Sequence, residues 1–167
     1  HSLKDLPTQR PPGLSIAAIS TREDPRDVLI SREGLNLNDL PSGSIVGTSS
    51  SRRASQLRFL RKQLDIKPIR GNVDSRIQKM QNGEFDAIVV AAAGVSRLGR
   101  DQEVTQYFGT SELIPPPGQG ALAIESRSDD TWVQSLLQAV NHEPTSSAIT
   151  AERAFLSHLG GGCSVPV

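Results

Sequence analysis

Between residues 44 and 97 the chain alternates short apolar runs with amphipathic stretches, and this alternation most restricts how it can fold. The runs SIVGTS, IKPIR and FDAIVVAAAG are typical of strands. Between them, SRRASQLRFLRKQL and NVDSRIQKMQNG carry apolar residues at helical spacing, and a further short helix is predicted after Gly94. The alternation of strands and helices predicts an α/β fold with an open, mainly parallel sheet.

The flanking segments contain further predicted elements. LSIAAIS and ALAIES are typical of strands. A helix is predicted from Asp129, with Trp132, Leu136 and Val140 facing inward, and a last helix covers about residues 145–159. Charged or proline-rich connectors near 21–27 and 115–120 enclose the alternating block, which is the pattern of one domain inserted into another.

Arginine residues follow each of the three predicted strands. Of the 18 basic residues only four are lysine, and arginine is the residue whose planar group binds carboxylates and phosphates through two parallel hydrogen bonds. In open α/β sheets, ligands bind beyond the carboxyl ends of the strands. The arginines at these ends are Arg52, Arg53, Arg70, Arg76 and Arg97, with Thr48 and Ser50 beside the first pair. Their positions predict a site for a ligand with several carboxylates or phosphates, whereas a single arginine there would be an ordinary surface residue.

Several functional classes are disfavoured by the sequence. No GxxxxGK[ST] motif is present, which argues against a nucleoside triphosphate ligand, and the formal net charge of zero argues against nonspecific nucleic-acid binding. No apolar run is long enough to predict a membrane span. The three histidines do not have the spacing of metal ligands, so we predict no metal site.

The single cysteine, Cys163, lies in the glycine-rich stretch HLGGGCSVPV. One cysteine cannot form an intrachain disulfide, and it fits a reducing compartment. Two interpretations remain open from the residues alone: a small structural residue, or a nucleophile with open space around it.

Six motifs together resemble the porphobilinogen deaminase family, also called hydroxymethylbilane synthases. They are HSLKD, GTSSSRR, RGNVDSR, FDAIVVAAAGVSRLG, PPPGQGALAIE and AERAFLSHLGGGCSVPV, and they occur in the order and spacing of the family. The resemblance implies a transferase of tetrapyrrole and haem biosynthesis. Such an enzyme joins four porphobilinogen molecules head to tail into hydroxymethylbilane and releases ammonia at each step.

The resemblance also implies the site. The family carries a dipyrromethane cofactor bound by a thioether, which here falls on Cys163. The catalytic acid is implied to be Asp5, which stabilises a cationic pyrrole. The implied cofactor- and substrate-binding residues are Lys4, Thr48, Ser50, Arg52, Arg53, Arg70, Arg76, Gly94, Arg97 and Gln119.

The domain organisation expected from the resemblance has three α/β domains, the first two being periplasmic-binding-protein-like lobes around a cleft. Residues 1–22 and 120–141 would belong to a partial first domain and 23–119 to the second. Residues 142–167 would start a small third domain that contains the attachment loop. Because the chain lacks an initiator Met and ends in the glycine-rich loop, we expect a fragment.

The expected partner is porphobilinogen alone, bound by a monomer without nucleic acid or membrane. The expected location is the cytoplasm, or the plastid of a plant or alga. A noncatalytic two-lobed module that binds a polycarboxylate is the competing interpretation, since the arginines fit it equally well. A thiol redox sensor would leave the arginines unexplained.

Overall fold

The computed structural model describes residues 1–160, which form two units. The first unit combines His1–Pro25 with the described residues from Pro116 onward. The second unit is the intervening segment Arg26–Pro115. The chain passes between the units at prolines, whose fixed φ restricts the backbone there.

Strands and α-helices occur in both units. The strands are β1 (Leu14–Ile19), β2 (Asp27–Ser31), β3 (Ile45–Gly47), β4 (Asp65–Lys67), β5 (Ala87–Ala91), β6 (Gln106–Tyr107) and β7 (Ala123–Arg127). The α-helices are α1 (Ser51–Leu60), α2 (Val73–Gln81), α3 (Ala92–Ser96), α4 (Thr131–Leu137) and α5 (Glu143–His158). Short 3₁₀ helices lie at Leu3–Asp5, Asp101–Glu103 and Gln138–Val140. Within residues 1–160, no helix has the length and apolar character needed to cross a membrane.

A five-stranded mixed sheet with the order β4-β3-β5-β2-β6 forms the centre of the second unit. Strand β3 runs parallel to β4 and β5, as predicted. Strand β2 runs antiparallel to β5 and β6, so the expected mainly parallel sheet is corrected to a mixed one within an α/β fold. The sequence pattern hid β2, because the strand begins with a charged residue directly after the charged, proline-containing stretch TREDPR.

Each face of this sheet carries its own apolar core. Successive side chains of a strand point to opposite faces, so neighbouring residues of β2 and β5 enter different cores. On one face, Ile77 and Met80 of α2 join the core, as their spacing predicts. On the other face, Leu57 of α1 joins Leu29 and Val89. Burial of such side chains contributes about 1.5–3 kcal/mol each, and it holds both helices onto the sheet.

The first unit is built on an antiparallel pair of strands. Strand β1 pairs with β7, and the register runs from Leu14 opposite Arg127 to Ile19 opposite Ala123. The buried core of this unit consists of Leu3, Ile19, Ala121, Ala123 and Ile149. The last of these residues comes from α5, so the long helix packs against the same core as the strands.

Helix α4 presents a different face from the one predicted. The stripe of Trp132, Leu136 and Val140 is exposed, so the prediction that it faces inward is wrong. The side that meets β1 includes Gln134, whose Nε2 donates to Ser15 Oγ at 3.3 Å. Both sides of this short helix carry apolar residues at helical spacing, so the pattern alone does not determine which side is buried.

Candidate functional site

The turn from β3 into α1 uses the predicted hydroxyl groups to start the helix. Ser50 is the N-cap residue, and its Oγ accepts a hydrogen bond from the backbone N–H of Arg53 at 3.3 Å. The buried Thr48 accepts at Oγ1 from the backbone N–H of Ser50 at 3.2 Å. A capped first turn satisfies N–H groups that would otherwise lack a partner. Thr48 and Ser50 therefore fix the point from which the side chains of the first turn extend.

Asp27 lies at the same edge of the sheet as this turn. Because β2 runs antiparallel to β5, its first residue is opposite the last residue of β5, and Asp27 pairs in register with Ala91. Strands β3 and β5 are parallel and both end at this edge. The reversed direction of β2 thus brings a carboxylate to the edge where the sequence predicted arginines and hydroxyl groups.

The Asp27 carboxylate is fully buried and binds the two consecutive arginines of α1. Oδ2 accepts from Arg52 Nη2 at 2.6 Å, and Oδ1 accepts from Arg53 Nη2 at 2.7 Å and Nε at 3.0 Å. Arg53 Nη1 also donates to the carbonyl oxygen of Val89 at 3.3 Å, and Arg52 Nη1 donates to that of Ile114. We call Asp27, Arg52 and Arg53 the buried ion cluster.

Burial of this cluster limits how its two arginines can reach a ligand. The sequence predicted Arg52 and Arg53 as part of a site for an anionic ligand, and the structure leaves 7% and 6% of their surface exposed, so only a small part of each is open to such a ligand. Moving a charge out of water is unfavourable unless a partner compensates it. Asp27 is that partner, and its position inside the predicted connector explains why the sequence did not reveal it.

Burial and the neighbouring opposite charges shift the pKa values of Asp27 and Arg52 in opposite directions. Burial alone raises the pKa of Asp27, but the attraction and hydrogen bonds of Arg53 and Arg52 outweigh it and hold the pKa below its ordinary value. Burial lowers the pKa of Arg52, with Asp27 acting against that change. Burial and then repulsion from Arg53 lower the pKa of Arg76. Arg76 therefore lies within electrostatic reach of Arg53, and the two arginines of the cluster outnumber its one carboxylate, so this edge is positively charged.

The turn before α2 positions Arg76. Asn72 is the N-cap residue, and its Oδ1 accepts from the backbone N–H of Ser75 at 2.8 Å. Arg76 is half-buried, and its Nε donates to the carbonyl oxygen of Gly71 at 2.8 Å. Gly71 has a φ of 117°, a conformation that favours glycine. Arg70, from the same turn, is exposed.

The junction after β5 differs from the prediction. Helix α3 begins at Ala92, so Gly94 lies inside the helix and Arg97 lies at its C-cap. The helix predicted after Gly94 therefore begins earlier than expected, and Arg97 follows its last residue. Alanines 91–93 continue an apolar run, but alanine is also the strongest helix former, and the strand ends at Ala91. Arg97 is exposed at a helix C-terminus, where a positive charge is favourable.

In the first unit the structure brings Lys4 and Gln119 together. Lys4 Nζ donates to Gln119 Oε1 at 3.3 Å. Gln119 is fully buried, and its Nε2 donates to the carbonyl oxygen of Pro25 at 2.7 Å. Lys4 and Asp5 belong to the 3₁₀ helix Leu3–Asp5, in which Asp5 is exposed. Gln119 thus links the predicted catalytic segment to the connector.

Glycines on both sides of Gln119 allow the close approach of the backbone. Gly118 and Gly120 have φ values of 79° and 88°, which other residues rarely adopt. A Cβ at Gly118 would lie 2.3 Å from Leu3 Cδ2, and one at Gly120 would lie 2.4 Å from the carbonyl oxygen of Glu23. Glycine is therefore required on both sides of Gln119, because a larger residue would clash with its neighbours and would also disfavour the positive φ.

Arg22 and Glu152 hold the same turn, although the sequence pattern did not single them out. Arg22 Nη2 donates to Glu152 Oε2 at 3.1 Å, and Arg22 Nε donates to the carbonyl oxygen of Gln119 at 2.9 Å. Glu152 Oε2 also accepts from the backbone N–H of Gly118 at 2.8 Å. This network joins α5 to the turn around Gln119. Cys163, the predicted attachment residue, lies outside the described residues.

The fold and the charged sheet edge define a class of protein. The chain has the α/β fold of periplasmic binding proteins, with arginines gathered at one edge of the sheet in its second unit. A solved lipoprotein structure from Bacillus subtilis subsp. subtilis str. 168 aligns with a TM-score of 0.51 and 14% identity, covering 80% of this chain and 63% of that chain. Similarity at this level of identity shows the fold alone.

Sequence comparison then identifies the family. The family model described as "Porphobilinogen deaminase, dipyromethane cofactor binding domain" matches residues 1–135, and the one described as "Porphobilinogen deaminase, C-terminal domain" matches residues 146–167. Over its full length the chain is 52% identical to the porphobilinogen deaminase of Mycobacterium marinum and 51% identical to that of Mycobacterium tuberculosis. The chain belongs to the porphobilinogen deaminase family. It spans about half the length of these relatives, 53% and 54% respectively.

Acid should remove the stabilisation that Asp27 provides. Because the pKa of Asp27 is lower in the folded chain than in the unfolded chain, its contribution is complete above the ordinary aspartate pKa of about 3.9 and is lost as the pH falls through the lower folded value. We expect urea unfolding of the wild type and of Asp27→Asn to differ at neutral pH and to converge only in that acidic range.

The exposed Asp65, which pairs with Lys67 at 3.1 Å, supplies the control. We expect Asp65→Asn to change the free energy of unfolding by less than about 1 kcal/mol at every pH, because surface pairs contribute little. Equal stability of the wild type and Asp27→Asn at neutral pH would contradict the structure of the cluster.

Proposed function

We propose that the protein functions as hydroxymethylbilane synthase, joining four porphobilinogen molecules head to tail with release of ammonia. The observation that carries the proposal is the positively charged sheet edge, where Arg52 and Arg53 bind Asp27 and Arg76 lies within electrostatic reach of Arg53, in a chain of the porphobilinogen deaminase family. Each porphobilinogen brings one acetate and one propionate group. A site that binds a growing chain of such units needs fixed cations, and arginine supplies them with a defined hydrogen-bonding geometry.

Carboxylate recognition is the role we propose for the arginines of this edge. Arg76 is half-buried and within electrostatic reach of Arg53, while Arg70 and Arg97 are exposed. The capped N-terminus of α1 adds backbone N–H groups and the positive end of a helix dipole, both of which favour an anion. In this proposal Thr48 and Ser50 shape that terminus, and Gly94 allows α3 to lie close to α2, because an added Cβ would be 3.3 Å from Val73 Cγ2.

A dipyrromethane group attached to Cys163 is the cofactor we propose. The matching family model names this group, and a positively charged sheet edge suits its carboxylates. When bound, the group supplies the pyrrole carbon at which chain growth starts. In the first unit, Lys4 would contribute a further cation, and its hydrogen bond to the buried Gln119 fixes the position of its ammonium group.

Asp5 is the acid that we propose for catalysis. Loss of ammonia from porphobilinogen leaves a positive charge on the pyrrole ring. A carboxylate near the ring nitrogen stabilises this charge and can take part in the proton transfers. Asp5 is exposed, directly follows Lys4, and is therefore able to meet a substrate.

The competing function is a noncatalytic module that binds a polycarboxylate. It would use the same arginines, but it would need neither Asp5 nor Cys163.

We infer that the protein acts on porphobilinogen as a monomer in the cytoplasm. The single cysteine supports the location, because it fits a reducing compartment.

A chimera tests the proposed function. In the Mycobacterium marinum porphobilinogen deaminase, the segment that aligns with this chain would be replaced by residues 1–167, since the two are 52% identical there. We expect the chimera to release ammonia and bilane and to carry a mass increase of two linked pyrrole units on Cys163. Cys163→Ser, a matched control of nearly the same size, should lose both the adduct and the activity. A chimera that binds porphobilinogen but releases no bilane would favour the binding module.

Substitution of Asp5 separates catalysis from binding. In the chimera, Asp5→Asn removes the charge but keeps the size, and we expect kcat to fall at least about a hundredfold while KM changes little. Asp5→Glu should keep more activity than Asp5→Asn, because the charge remains and only its position shifts. The exposed Asp39 of the second unit provides the control, and Asp39→Asn should leave the rate unchanged. A near-normal kcat for Asp5→Asn would show that Asp5 has no catalytic role.

A further inference from the structure

The proposed function gives no role to Asp27. A carboxylate beside a site for carboxylate ligands repels those ligands, so its presence needs a physical reason. Asp27 is also fully buried, so it is not an ordinary surface charge. The inference below rests on the proposed function, because it concerns how the arginines of the same sheet edge are held.

Consecutive residues on a helix do not point in the same direction, since each residue is rotated by about 100° from the last. Arg52 and Arg53 would therefore diverge from one another at the start of α1. Asp27 overcomes this divergence because its two oxygens bind different arginines, Oδ2 binding Arg52 and Oδ1 binding Arg53. One carboxylate thus gathers two side chains that the helix alone would separate.

Each guanidinium group is also held at a second point. Arg53 donates to the carbonyl oxygen of Val89 at 3.3 Å, and Arg52 donates to that of Ile114. A planar group with two anchors cannot rotate freely about its side chain. Arginine pays less conformational entropy for each hydrogen bond when its planar group is already oriented.

We propose that Asp27 is a positioning residue of the polycarboxylate site, which holds Arg52 and Arg53 in one arrangement at the sheet edge so that a substrate carboxylate meets pre-oriented cations. Asp27 acts through the two arginines and does not itself contact the substrate. Its own negative charge is a cost to anion binding that the gain in orientation exceeds.

The two effects of Asp27 make opposite predictions for Asp27→Asn. If charge alone mattered, removal of the carboxylate would make the edge more positive and would tighten the binding of porphobilinogen. If positioning dominates, the arginines become mobile and binding weakens. The sign of the change in KM therefore separates positioning from simple electrostatics, and a purely structural role would lower the melting temperature without changing KM.

The test uses the chimera described above, with kcat, KM for porphobilinogen and the melting temperature measured for each variant. We expect Asp27→Asn to raise KM about ten- to a hundredfold, the scale of a lost charged hydrogen bond, with a smaller change in kcat. Asp27→Glu keeps the charge and should give an intermediate KM. Asp86→Asn is the matched control, because Asp86 pairs with Arg32 at 3.1 Å just before β5, at the opposite end of that strand, and its loss should not alter KM.

An unchanged or lowered KM for Asp27→Asn overturns the proposal. If that variant does not fold, Asp27→Glu decides: a KM raised several-fold at a melting temperature near that of the wild type supports positioning, and an unchanged KM overturns it.

If the wild-type chimera makes no bilane, the proposed function fails, but the positioning role of Asp27 can still be tested. Calorimetry on the 167-residue chain would then use benzene-1,2,4,5-tetracarboxylate, a rigid polycarboxylate, as the probe. Weaker binding by Asp27→Asn than by the wild type supports positioning. Tighter or equal binding, or no binding to the wild type, overturns it.

Discussion

The second unit depends on one interaction, the pairing of the buried Asp27 with Arg52 and Arg53. Antiparallel β2 brings the carboxylate to the edge where β3 and β5 end, and the capped turn before α1 brings the two arginines to the same point. Both arginines depend on Asp27 for their burial, and Asp27 depends on the arginines for its own, because an isolated charge in the interior is strongly unfavourable. Sheet topology, helix start and charge pairing therefore specify one another.

The parts of the fold that follow local patterns could be predicted from the sequence. Short apolar runs predicted strands β3, β4 and β5, and apolar residues at helical spacing predicted helices α1 and α2. Leu57 of α1 and Ile77 of α2 are buried in the cores, as that spacing predicts. Strand β2 was not predicted, because it begins with the charged Asp27. A charged residue at that position is typical of a connector, and only the fold shows that Arg52 and Arg53 compensate its charge. The exposed Trp132 was assigned inward because both sides of α4 have helical spacing, and only contact with β1 decides between them.

The sequence could indicate which residues belong to the candidate site, but it could not indicate the contacts that these residues make with one another. Position after successive strands indicated Arg52, Arg53 and Arg76, and the family resemblance indicated Lys4 with Gln119. The pairs that organise these residues join distant segments: Arg22 and Glu152 are 130 positions apart. Neither the periodicity nor the spacing of nearby residues predicts such a pair. The two side chains stabilise each other only after the fold brings them together and removes water from them.

A double-mutant cycle on Asp27 and Arg53 tests the central claim most directly. Urea unfolding of the 167-residue chain would be followed for the wild type, Asp27→Asn, Arg53→Gln and the double variant. If the buried pair organises the second unit, Asp27→Asn leaves two buried guanidinium groups without their carboxylate, and Arg53→Gln removes the two hydrogen bonds from Nε and Nη2 to Asp27, so the coupling free energy should be at least about 2 kcal/mol. A coupling below about 0.5 kcal/mol, the value expected of an exposed surface pair, would contradict the account.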